Sequence, residues 1–136
     1  MKVGVVIVTH YRLGEEFLQA LRLIVPEAPE FHAVSIDPKQ SVDEMRTAIS
    51  DAMSAADIGN GVLVLTDMFG GTPSNISLSL MEGHAVEVVT GVNLPMLIKL
   101  ATLSEEKPLD ELALFIKNYG QRNISVASEI LPEDGP

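Results

Sequence analysis

Four short strand-like segments, the first and third of them continuous apolar runs, alternate with stretches of helical spacing and constrain this chain more than any other feature. The first, Val3-Gly4-Val5-Val6-Ile7-Val8, is continuous and β-branched, the mark of a strand buried on both faces. Leu13, Phe17 and Leu21 then recur at every fourth position, with Leu18 and Ile24 widening the stripe, so an amphipathic helix follows and ends before Pro26. Phe31 to Ile36 reads as a second strand. Ser41 with Glu44 three residues on is a capping box, and it opens a helix whose buried face carries Met45, Ile49 and Met53. After a Gly59-Asn60-Gly61 turn, Gly61 to Leu65 forms a third strand that stops at Thr66-Asp67.

A Gly70-Gly71 turn leads to Thr72 as helix cap and Pro73 in the first turn, with Ile76, Leu80 and Met81 as the buried side. Ala85 to Val89 is a fourth strand. One helix starts at Asn93 and Pro95 and runs through Leu100. Another starts at Pro108, turns Leu112, Phe115, Ile116 and Tyr119 inward, and stops at Gly120. Ile124 to Val126 reads as a short last strand. Strands alternating with helices of this length give an α/β architecture, a doubly wound and mostly parallel sheet with helices on both faces. The 136 residues suffice for one domain, residues 1–131, followed by an acidic, breaker-rich and mobile tail at 132–136.

Composition narrows the function. The chain has no Cys, so disulfides, thiolate metal sites and Cys nucleophiles are excluded. Nine basic against 19 acidic residues give a net charge of −10, which repels phosphate backbones and anionic lipid. Nucleic acid and membrane insertion are therefore not expected, and no apolar run near the start is long enough for a spanning helix or a signal peptide. The chain reads as soluble and cytoplasmic.

In such sheets, ligands bind beyond the carboxyl ends of the strands, where the strand order reverses. That points to Thr9-His10-Tyr11-Arg12, to Asp67 through Asn75, and to Thr90 through Pro95. An imidazole such as His10 is a nucleophile near neutral pH if a second group holds its other nitrogen in the protonated tautomer. Asp67 ends the strand expected beside the first, so its carboxylate can accept that N–H. Gly70 and Gly71 allow a tight turn, and the helix that follows directs free N–H groups toward the site, with the Thr72 and Ser74 hydroxyls as further donors. This is an anion cradle suited to a phosphoryl group carried on His10. Arg12 could help hold phosphate, although an Arg in a first helical turn is more often solvated. His32 and His84 have no comparable setting and read as structural.

Other chemistries do not fit. The glycine turn lacks the spacing and lysine of a nucleoside-triphosphate loop, and Gly-x-Gly-x-x-Gly is absent. No cluster has metal-ligand spacing, so no metal or cofactor is expected. A receiver domain would place an acidic pair after the first strand, where this chain has Thr9-His10.

Val6-Ile7-Val8-Thr9-His10, Leu65 through Asn75 with its Asp-x-Phe-Gly-Gly-Thr-Pro core, and Gly91-Val92-Asn93-Leu94-Pro95-Met96-Leu97 together carry a resemblance. The sequence resembles the IIA domain of the mannose family of the bacterial phosphoenolpyruvate:sugar phosphotransferase system. The resemblance implies a phosphocarrier that accepts a phosphoryl group from phospho-HPr on His10 and passes it to a IIB protein during sugar uptake. It implies Asp67 as the group orienting the imidazole, Phe69, Gly70, Gly71 and Thr72 around the phosphoryl group, and Tyr11, Arg12 and Asn93 at partner-contact positions. It also implies four parallel strands with an antiparallel fifth, for which Ile124–Val126 stands, and a homodimer. Selectivity for a sugar would then reside in the membrane components. The family often has Gly after the histidine; Tyr11 is ill suited to a positive φ, and its ring either narrows a partner's approach or stacks on it. Thr72 replaces the more usual Ser and keeps the hydroxyl. Three other roles share the fold: a regulatory module whose phosphorylation state controls a partner protein, a non-phosphorylated adaptor, and the phosphotransfer subunit of dihydroxyacetone kinase. The last ranks low because that family lacks the Phe-Gly-Gly-Thr-Pro type of turn.

Overall fold

The computed structural model describes residues 2–82 and 85–131. Both His84 and the tail at 132–136 lie outside the described residues. The apolar runs form four strands: β1 (Gly4–His10), β2 (His32–Ile36), β3 (Val62–Thr66) and β4 (Val86–Thr90). All pair in parallel, in the order β2-β1-β3-β4. The order reverses between β1 and β3, with Val8 in register with Thr66. The residues just beyond those two strands therefore face each other across the switch point.

Helices cover both faces, as the buried apolar runs of the central strands β1 and β3 require. On one face α1 (Leu13–Ile24), α4 (Leu94–Thr102) and α5 (Leu109–Arg122) bury Leu21, Leu97 and Ile116 against Ile7, Leu63 and Leu65. On the other, α2 (Val42–Ala56) and α3 (Thr72–Ser79) bury Met45, Ile49, Met53 and Ile76 against Val6, Val8 and Val64. Each fully buried aliphatic side chain contributes roughly 1.5–3 kcal/mol by leaving water. The Ser41–Glu44 capping box forms as expected, Glu44 N–H donating to Ser41 Oγ and Ser41 N–H to a Glu44 carboxylate oxygen. None of the helices among the described residues is long and apolar enough to cross a membrane.

Several expectations are corrected. Ile124–Val126 is not a fifth strand. Asn123 and Ile124 donate their N–H groups to Gly120 and Gln121, so the chain is still unwinding from α5, and both Ile124 and Val126 are exposed. A short helix, α6 (Ala127–Ile130), follows instead. Gly120 does not stop α5; it lies inside the helix, where a Cβ would stand 2.7 Å from the Met96 methyl carbon. Its lack of a side chain lets α4 and α5 approach closely. Gly71, in extended backbone, is the cap of α3, and Thr72 is the first helical residue. The helix ends at Ser79, so Leu80 and Met81 follow it half-buried, and Ser74 and Ser77 join Ile76 on its buried side. Leu13 and Ile24, at the two ends of α1, are exposed.

Candidate functional site

β1 delivers His10 and the loop after β3 delivers Asp67 to the switch point. The Asp67 carboxylate is nearly buried, its side chain 11% exposed, while the His10 side chain is 49% exposed. Asp67 Oδ2 accepts the His10 backbone N–H at 3.0 Å and lies 2.8 Å from His10 Nδ1. Asp67 Oδ1 accepts the Met68 N–H at 3.0 Å. A carboxylate can only accept, so Nδ1 must carry the proton facing it, and the neutral ring keeps its lone pair on Nε2. The bond to Asp67 thus selects both the tautomer and the ring orientation.

Nε2 points toward the start of α3. A Cβ built on Gly71 would lie 3.0 Å from His10 Nε2 and 2.5 Å from Cε1. Gly70 has φ +92°, which makes the turn that brings Gly71 against the ring. The first-turn N–H groups of α3 have no intrahelical acceptors, and the helix presents its positive end to this region. The arrangement offers a nucleophilic nitrogen, a fixed tautomer and backbone donors for an anion within one cleft.

The EIIA-man family model, described as "PTS system fructose IIA component", matches residues 4–117. The chain belongs to this family of the phosphotransferase system. The EIIA chain is 30% identical over 109 residues to the sorbose-specific EIIA component of Lacticaseibacillus casei, covering 79% of this chain and 78% of that protein. It is 26% identical over 126 residues to the mannose-specific EIIAB component of Escherichia coli K12, covering 91% of this chain but only 39% of that longer protein. Among solved structures, the mannose/sorbose-specific IIA subunit from Enterococcus faecalis superposes with a TM-score of 0.86 at 32% identity, covering 98% of each chain. The doubly wound fold is thus shared with that relative.

The other expected residues of the EIIA chain fall in different places. Thr72 lies at the exposed start of α3 and Phe69 is 72% exposed at the rim. Arg12 is tied to Glu15 at 3.1 Å and to Glu16 at 3.8 Å on the first turn of α1. The Asn93 amide is committed internally: Oδ1 accepts the Met96 N–H at 3.1 Å and Nδ2 donates to Gly120 O at 3.1 Å, joining α4 to α5. Tyr11 overturns the expectation about its backbone. It adopts φ +48°, the only positive φ among the described non-glycine residues, with its ring 64% exposed. Its N–H donates to Ile36 O at 2.8 Å, which fixes the turn despite the steric cost.

Sequence reasoning placed Thr9, Thr66 and Met68 in the segments after the strands but gave them no role of their own. Thr9 and Thr66 are fully buried and end apolar runs, where a threonine reads as ordinary strand filling. A polar residue closing a buried run immediately before each candidate site residue is the signal that marks them. Exposed Met68 was visible only as a member of the loop; its N–H, and no particular side chain, makes the bond to Asp67.

Proposed function

We propose that this EIIA chain is a phosphocarrier in which His10 Nε2 accepts a phosphoryl group from the phosphohistidine of HPr and passes it to a IIB protein during sugar uptake. The observation carrying this reading is the Nδ1–Asp67 contact at 2.8 Å, which leaves Nε2 as the free nitrogen in a half-exposed cleft. In the accepting step the Nε2 lone pair forms the new N–P bond as the donor's N–P bond breaks, and that electron pair returns to the donor imidazole. Little covalent assistance is needed beyond in-line positioning and stabilisation of the charge on the equatorial oxygens. Asp67 keeps Nδ1–H in place throughout, and it faces the positive charge that the phosphorylated ring carries. The turn at Gly70, Gly71 and Thr72 cradles the phosphoryl oxygens, with Phe69 beside it. Tyr11 and Arg12, exposed at the mouth, meet the partner protein. The family resemblance supports a homodimer as the working assembly, which native mass measurement checks.

The test is phosphoryl transfer in a mixture of phosphoenolpyruvate, enzyme I, HPr and this protein, read by intact mass without acid because phosphohistidine is acid-labile. One added phosphoryl group in the wild type and none in His10→Ala is the expected result, followed by its loss on adding the IIB protein. No addition with the organism's own HPr would overturn the reading.

A further inference from the structure

Thr9 and Thr66 stand immediately before His10 and Asp67, each with no accessible surface. A buried hydroxyl is costly unless it is hydrogen-bonded. Thr9 Oγ1 accepts the N–H of Gly14 at 2.7 Å and lies 3.5 Å from Tyr11 O, to which it donates. Gly14 is the second residue of α1, where a backbone N–H has no partner within the helix. The cap residue of α1, Arg12, offers no side-chain hydrogen bond to the helix. Thr9 therefore caps α1 from the strand, across the turn containing the one strained non-glycine residue described. Thr66 repeats the pattern beside Asp67. Its hydroxyl donates to Met68 O at 3.4 Å, and its carbonyl accepts the N–H groups of Gly91 and Val92, each at 2.9 Å.

The contacts of Thr9 bear on His10, the one to Gly14 at 2.7 Å being the shorter. Tyr11 is held by its N–H on Ile36 O and its carbonyl on Thr9 Oγ1, and the Thr9 hydroxyl is itself anchored to α1. His10 sits between Thr9 and Tyr11, so the direction of its Cα–Cβ bond follows from that turn. The ring has little tolerance for error, because Gly71 lies against Cε1 and Nε2 while Asp67 holds Nδ1.

We propose that Thr9 is a positioning residue, whose hydroxyl closes the His10–Tyr11 turn onto α1 and so sets the imidazole between Asp67 and Gly71. The inference rests on the phosphocarrier reading only where transfer is the readout; the state of the ring tests it separately. Thr9→Val keeps the shape and leaves the Gly14 N–H without an acceptor, whereas Thr9→Ser keeps the hydroxyl and gives up a buried methyl.

Two measurements decide it: phosphorylation rate per folded molecule, and the His10 tautomer read from imidazole ¹⁵N shifts in the unphosphorylated protein. Thr9→Val should slow phosphorylation about tenfold or more, as expected for a displaced reacting group, and should mix the tautomers. Thr9→Ser should keep the wild-type tautomer and a rate within about threefold of wild type, although it has lost core packing. A Thr9→Val protein with a lowered melting temperature but wild-type tautomer and rate would show a purely structural role and overturn the proposal. So would Thr9→Ser matching the valine variant. If Thr9→Val fails to fold, the tautomer in Thr9→Ser decides alone, mixed tautomers overturning the proposal. A wild type that takes no phosphoryl group would instead overturn the carrier reading, and the ring measurement would still decide the role of Thr9.

Discussion

Gly71 shows how little room the imidazole has. Its backbone is ordinary extended chain, so alanine is conformationally acceptable, yet the new methyl would occupy space held by His10 Cε1. The ring is half-exposed and can swing away, so Gly71→Ala should melt close to wild type while losing the His10–Asp67 bond and at least about tenfold in phosphorylation rate. Normal transfer would mean that the ring works from a different rotamer. Asp67→Asn creates a different conflict. Its Oδ1 and Oδ2 positions both face N–H donors, so the amide NH₂ must oppose either Met68 or His10. Phosphorylation should fall by about a hundredfold or more with the fold intact, as when a wrong tautomer is favoured; an unchanged rate would remove Asp67 from its orienting role. At Tyr11 the backbone strain is local, since left-handed geometry costs an L-residue about 1–2 kcal/mol, partly offset by the flexibility of glycine in the unfolded chain. Tyr11→Gly should therefore raise the melting temperature by a few degrees, and a lower one would show that the ring packs more than its exposure suggests. The pairing of His10 with Asp67 was legible in the sequence because each follows a buried run that topology makes adjacent. The role of the Thr9 hydroxyl was not, because Gly14, although only five residues on, is met across a strand-to-helix turn whose shape depends on the positive φ of Tyr11.

Element by element, legibility followed the range of the interaction that defines each boundary. The start of α2 is set by four neighbouring residues, and the capping box could be read directly. It also carries a pH signature. Hydrogen bonds from the Ser41 backbone, and secondly from its side chain, hold the Glu44 carboxyl below its ordinary value. A folded-state value below the unfolded one adds stability that is present above the unfolded value and is lost as pH falls through the folded one. The melting-temperature gap between wild type and Glu44→Gln should thus be open near neutrality and close on acidification through and below the ordinary carboxylate range. A gap constant with pH would assign the cap to hydrogen bonding without charge. The end of α5 was misread for the opposite reason. Gly120 has the local look of a helix stop, but its missing side chain serves contact with Met96, a residue 24 positions earlier. Ile124–Val126 has strand-like alternation, yet these three residues form the link between α5 and α6 and belong to no strand.

Across the whole molecule, two apolar layers sandwich the sheet while a net charge of −10 repels itself at the surface. Like-charge repulsion weakens as the screening length shortens from about 30 Å at 0.01 M salt to about 3 Å at 1 M. Sodium chloride should accordingly raise the melting temperature over that range; no rise would mean that the acidic side chains are already locally compensated. The α/β class and the mostly parallel sheet could be read because β1 and β3 are near-continuous apolar runs alternating with helical spacing, whereas the outer edge of the sheet is decided by contacts distant in sequence. The switch point has a further consequence. His10 and Asp67 are 57 residues apart, and the Asp57–Gly61 turn, exposed at Asp57, Ile58 and Gly59, lies between them. A chain cut in that turn would put the histidine on one fragment and the carboxylate on the other, so neither piece alone could present the paired site. Complementation of the two fragments would have to zip β1 to β3 before the pair exists, and recovery of the paired imidazole would time that docking.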